Sequence, residues 1–116
     1  MDKTTLKRAI MGTRKYIDWN KTGRNLLLLR SDNLELRKNV CRELNYEKGE
    51  CSGNCESCKF EMDSSISRAE LAKVFNVTES VIFNWEKGKT PVAVDDLLFY
   101  CRLAHLTLEE ILVFQA

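Results

Sequence analysis

Proline occurs only once in this chain of 116 residues, at Pro91, and glycine five times. So little punctuation argues against a sheet protein built on many tight turns and favours helices joined by short connections. Histidine is also single, at His105. With one imidazole, no nucleophile beside a matched base and no glycine-rich phosphate loop, nothing in the sequence is equipped to run a reaction. No enzyme and no small-molecule substrate are expected. Long apolar runs are missing too, and none approaches the ~20 residues that a membrane span needs. The opening residues Met1-Asp2-Lys3-Thr4 lack the apolar stretch of a signal peptide. A cytoplasmic protein with no membrane partner is the expectation, in a reducing compartment where cysteines serve metal binding or redox chemistry better than disulfides.

A composition of 44% apolar and 30% charged residues is that of one ordinary globular domain. The net charge is only +1, but it is unevenly spread. Residues 1–30 carry eight basic side chains (Lys3, Lys7, Arg8, Arg14, Lys15, Lys21, Arg24, Arg30) against Asp2 and Asp18, whereas the remainder is acidic on balance. A basic arm over residues 1–21 on an acidic body suggests an anionic partner, nucleic acid first, because each cation that meets a phosphate releases a counterion. Leu6, Ile10 and Ile17, near helical spacing, equally suit a solvated amphipathic helix.

From residue 66 one pattern recurs three times: an apolar residue, a hydroxyl residue, and a second apolar residue four positions after the hydroxyl. The three are Ile66-Ser67 with Leu71, Val77-Thr78 with Ile82, and Leu106-Thr107 with Ile111. Each predicts a helix start in which the hydroxyl caps a backbone N–H and the two apolar groups pack as a staple. Glu70 and Glu110 complete capping boxes. The first two starts are so close that the helix from Arg68 to Phe75 must end in a turn at Asn76-Val77-Thr78, giving a helix-turn-helix over residues 67–88. Leu71, Ala72 and Phe75 form one apolar face and Val81, Ile82 and Trp85 the next, with Gly88 as the left-handed stop. After Pro91, Asp95 or Asp96 is expected to cap a helix whose Leu97, Leu98, Cys101 and Ala104 share a face, making Cys101 a small buried hydrophobe. Upstream, Leu26 to Arg30 reads as a short helix. Asp32-Asn33-Leu34-Glu35 opens another, either separate from it or continuous through a kink, with Leu36, Val40 and Leu44 as its buried stripe.

The segment "SRAELAKVFNVTESVIFNWEKGKTPVAVDDLLFYCRLAHLTLEEIL" resembles the phage-repressor helix-turn-helix family of Cro and lambda repressor, also called the XRE family, over residues 67–112. The resemblance rests on Glu70-Leu71-Ala72, Val77, Ile82, Trp85-Glu86, Gly88 and Lys89, then Leu97 and the closing Thr107 to Leu112. "GRNLLLLR" is similar to the family's first helix. The implied fold is all-α: a five-helix repressor-like helix-turn-helix domain over 22–116, with an insertion at 31–65 between its first and second helices. The implied function is sequence-specific binding of double-stranded DNA in transcription regulation, as a homodimer, with helix 79–86 in the major groove. Glu79, Ser80 and Asn84 would then face base edges, and Arg68, Lys87 and Lys89 would meet phosphates. Asn84 suits adenine and Ser80 several bases, but a carboxylate at Glu79 faces phosphate repulsion unless it accepts from cytosine. A protein-interaction or antitoxin-like module of the same fold is the alternative.

The insertion holds Cys41, Cys51, Cys55 and Cys58, the right number for a tetrahedral thiolate site. One structural zinc is the leading expectation, pinning the Cys41 helix to the loop before Ser67. An iron–sulfur cluster, which would make the protein a sensor, and redox-switched thiols are the competitors. His105 reads as a partner of a helix C-terminus rather than a ligand.

Overall fold

A computed structural model of the chain describes residues 16–46 and 65–115. These residues are mostly helical: α1 (Trp19–Asp32), α2 (Leu34–Tyr46), α3 (Arg68–Phe75), α4 (Glu79–Glu86), α5 (Val94–Ala104) and α6 (Leu108–Ile111), with an isolated antiparallel bridge between Ile17 and Phe114. None is long and apolar enough to cross a membrane.

The local chemistry of the helix ends is that of the expected starts. Ser67 Oγ accepts from the Glu70 N–H at 3.1 Å while Glu70 Oε1 accepts from the Ser67 N–H at 3.1 Å. Thr107 and Glu110 make the same reciprocal pair. Two backbone donors are thereby satisfied at each end. Thr78 has the extended backbone of an N-cap but its hydroxyl makes no cap bond, so this start rests on its staple: Val77 packs against the core that holds Ile82. Asn76, at φ 57°, and Gly88, at φ 71°, take the left-handed conformation that turns the chain after α3 and α4.

Two expectations for α5 are corrected. Its N-cap is Ala93, with Asp95 and Asp96 inside the first turn rather than before it. Its buried face is Leu97, Tyr100, Leu103 and Ala104, while Leu98 is 46% exposed. Tyr100 and Ala104, three and seven positions after Leu97, share its side of the helix, whereas Leu98 is turned about 100° from Leu97, toward solvent. Cys101 lies partly buried against the core, and burial raises its thiol pKa.

At the N-terminal side, α1 and α2 are two helices separated by Asn33 alone. The Asn33 N–H closes α1 on the Leu29 carbonyl, and its Oδ1 opens α2 by accepting from the Leu36 N–H at 2.8 Å. α1 begins at Trp19, capped by Asp18, well before the expected Leu26, so a boundary between arm and domain at 21/22 falls inside its first turns. The C-terminal segment is laced to that start: Asp18 N–H donates to Val113 at 2.7 Å, Gln115 N–H to Tyr16 at 2.8 Å, and Asn25 to Ile111 at 2.9 Å.

The core joins all these elements. Leu26, Leu36, Val40, Leu71, Ile82, Tyr100 and Ile111 are fully buried. Phe75 sits at the centre of an aromatic cluster, 5.5 Å from Trp85, 4.8 Å from Phe99 and 4.7 Å from Tyr100 between ring centroids, distances at which ring pairs attract beyond their buried area. α2, the first part of the segment 31–65, is a core element and no appendage. Leu36 and Val40 enter the core, and Asn39 donates to the Leu103 carbonyl at 2.8 Å, satisfying an acceptor in the last turn of α5. The two ends of that segment also meet, because the Ile66 N–H lies 3.4 Å from the Arg30 carbonyl and Arg30 Nη1 donates to the Ile66 carbonyl at 3.0 Å.

Candidate functional site

α4 has two ends of opposite character. Its C-terminal end is locked into the body by Glu86, whose side chain is fully buried. Glu86 accepts from Arg30 Nε at 2.6 Å and Nη2 at 3.0 Å, and from Arg68 Nε at 3.0 Å. One carboxylate therefore holds an arginine from α1 and another from the first turn of α3. A buried carboxylate needs this number of charge-assisted donors to offset its desolvation. The hydrogen bond to Glu86, outweighing burial, raises the Arg30 pKa above its already high ordinary value.

Gly23 lets that junction close. A β-carbon there would collide with the carbonyl oxygens of Trp85 and Glu86, so α1 packs directly on the last turn of α4 only because residue 23 has no side chain. A β-carbon on Gly88 would meet Asn20 in the same way at 2.6 Å. The register of α4 against the body is thus fixed by two glycines and an ion triad at one end.

The opposite, solvent-facing side of α4 carries Glu79, Ser80, Phe83 and Asn84, which with Arg68 line an open hollow of about 450 Å³. Glu79 and Ser80 are exposed, and Phe83 and Asn84 partly buried. Among the described residues the side chains of Glu79, Ser80 and Asn84 have no hydrogen-bond or ion-pair partner. Around the Phe83 ring stand three cations: Arg68 Cζ at 5.0 Å from the centroid, Lys89 Nζ at 5.2 Å and Lys87 Nζ at 5.7 Å. All three are within range of attraction to the ring.

The six residues assigned to DNA contact by resemblance therefore gather on one face, although Arg68 has a second task. Its Nε is committed to Glu86, and its side chain is only 31% exposed. The reading of the sequence missed two residues. Glu86 was visible only as part of the Trp85-Glu86 resemblance; its signal is a carboxylate next to a buried tryptophan, on the inward stripe of Ile82 and Trp85. Phe83 was missed because it lies off that stripe; its signal is an aromatic residue among polar neighbours, one helical turn before Lys87.

Cys41 lies partly buried on α2, and Cys51, Cys55 and Cys58 fall outside the described residues, as does most of the basic arm. Among the described residues no group of three or more histidine, cysteine, aspartate or glutamate side chains is gathered as for a metal ion. His105 closes α5 at φ 56° with its Nδ1 3.5 Å from Glu35, both well exposed. A second hollow of about 410 Å³ between α2 and α5 is lined by Asn39, Arg42, Glu43, Phe99, Arg102 and His105.

Compared with family models, with curated proteins and with solved structures, the chain matches none of them.

Proposed function

We propose that this protein is a sequence-specific regulator that binds double-stranded DNA through a repressor-like helix-turn-helix, α3 and α4, with α4 in the major groove. The observation that carries this reading is the asymmetry of α4. Its inner side is packed in the core and its C-terminal end is held by the contacts of Glu86 with Arg30 and Arg68. Its outer side presents Ser80 and Asn84 without side-chain partners among the described residues, flanked by Arg68, Lys87 and Lys89. A duplex supplies what that face lacks: base edges for an amide and a hydroxyl, and phosphates for the cations. Phosphate contacts set orientation, and a rigid helix register is what makes base contacts selective.

The four-cysteine zinc site belongs to the same reading. Its support is the spacing of Cys41, Cys51, Cys55 and Cys58, together with the position of Cys41 on a helix anchored in the core. Zinc bound there would tie the chain beyond α2 to that helix; the expected content is about one zinc per chain, measured on the native preparation. Homodimerisation on paired half-sites also belongs to the proposal, since a single such motif buries little DNA surface.

The test is selection of bound duplexes from a random-sequence pool. A recurring sequence, bound by the wild type and lost on combined Ser80→Ala and Asn84→Ala substitution with unfolding unchanged, supports the reading. If only a salt-sensitive background is recovered, the protein-interaction alternative takes its place.

A further inference from the structure

Among the described residues Phe83 is the one apolar side chain lining the outer hollow of α4, between Ser80 and Asn84. Nothing in the packing of the core calls for it there: the buried face of α4 is Ile82, Trp85 and Glu86. Arg68, Lys87 and Lys89 surround the Phe83 ring at 5.0–5.7 Å. Arg68 is held by Glu86, but phosphates would compete with the ring for Lys87 and Lys89, because a full negative charge outcompetes the ring quadrupole. That would open one side of the ring to the ligand.

On base edges in the major groove an apolar ring has one complementary group, the C5-methyl of thymine. Asn84, the next residue, is suited to adenine, and the thymine opposite an adenine presents its methyl in the same groove. We infer that Phe83 is a specificity-determining residue that packs against a thymine methyl, so that the site read by α4 contains an A·T pair beneath Phe83 and Asn84. This inference rests on the DNA-binding reading above.

Deoxyuridine isolates the claim, since it differs from thymidine by that methyl alone. Duplexes are first selected from a random pool by the wild-type chain. Each thymine of the recovered sequence is then replaced singly by deoxyuridine, and binding is measured by fluorescence anisotropy. Replacement at one or two positions is expected to weaken wild-type binding by about fourfold per contacted methyl, the equivalent of one buried methyl group. Phe83→Ala, measured at low salt where cation contacts keep it on the duplex, is expected to bind the thymidine and deoxyuridine versions equally.

Equal binding of all versions by the wild type, with a sequence still selected, overturns the inference and leaves the DNA-binding reading standing. A wild-type preference that survives in Phe83→Ala also overturns it, because another group then reads the methyl. If no sequence is selected, the reading beneath it fails, and the inference with it. The wild-type comparison needs no variant, so it stands even if Phe83→Ala does not fold.

Discussion

Glu79 and Glu86 are the first and last residues of the same eight-residue helix, and the fold treats them in opposite ways. Glu86 has no exposed side-chain surface and is held by two arginines. Glu79 is exposed and, among the described residues, meets no ion-pair partner. The difference separates charge that builds the fold from charge left for something outside it. Desolvation makes the first kind costly to disturb, whereas solvent makes the second nearly neutral for stability.

The largest expected effect is at Glu86. Glu86→Ala leaves Arg30 and Arg68 facing an empty, buried position and is expected to cost about 3–5 kcal/mol, read from urea unfolding. A loss under about 1 kcal/mol would dissolve the contrast between the two glutamates. Next comes Gly23→Ala, which pushes a methyl group into the carbonyls at the end of α4. A cost of about 1–3 kcal/mol is expected, typical of overpacking, accompanied by weaker duplex binding because α4 is displaced.

Tyr100→Phe has the opposite sign. The Tyr100 ring is fully buried, and among the described residues its hydroxyl has no hydrogen-bond partner; burial, with Glu86 nearby, drives its pKa upward. Removing a buried, unsatisfied hydroxyl is expected to stabilise the protein by about 1 kcal/mol, seen as a raised unfolding midpoint. Smallest in stability is Glu79→Gln. A change within about 0.5 kcal/mol is expected, yet nonspecific duplex binding should tighten, since a carboxylate facing phosphates is removed. If Glu79→Gln destabilises the fold or weakens duplex binding, that carboxylate has a role the comparison denies it.

Much of this architecture was legible because it is written in local chemistry. The Ser67–Glu70 and Thr107–Glu110 boxes need only residues three apart, and the left-handed stop at Gly88 needs only a glycine after an apolar stripe. What escaped depends on distant neighbours. Leu26 to Arg30 suggests only a short helix, because the apolar run begins at Leu26, whereas α1 starts at Trp19. In the fold Gly23 is there to meet Trp85 and Glu86, and a contact so far along the chain leaves no local pattern. Leu98 was placed inside because its neighbours suggested a stripe. The packing of Tyr100 against Phe75 and Trp85 sets the inward side of α5 and leaves Leu98 exposed. In the candidate site, Ser80, Asn84, Lys87 and Lys89 were brought together only by the resemblance; helical spacing puts Ser80 and Asn84 on one side of α4, but Lys87 and Lys89 follow its last residue. The tie from Arg68 to Glu86 could not be read from the sequence, because it spans two helices, and neither could the clustering of cations around Phe83.

Whether the outer face of α4 reads duplex DNA decides what this protein does. The most direct measurement is the affinity of the wild type and of the Ser80→Ala, Asn84→Ala variant for a selected duplex and for a scrambled duplex of the same composition, at one salt concentration. The wild type is expected to prefer the selected duplex by about a thousandfold or more, and the variant to lose most of that preference, each bidentate base contact being worth about 1–3 kcal/mol. Equal affinity of the wild type for both duplexes, or a preference that the variant keeps in full, would contradict the DNA-binding reading.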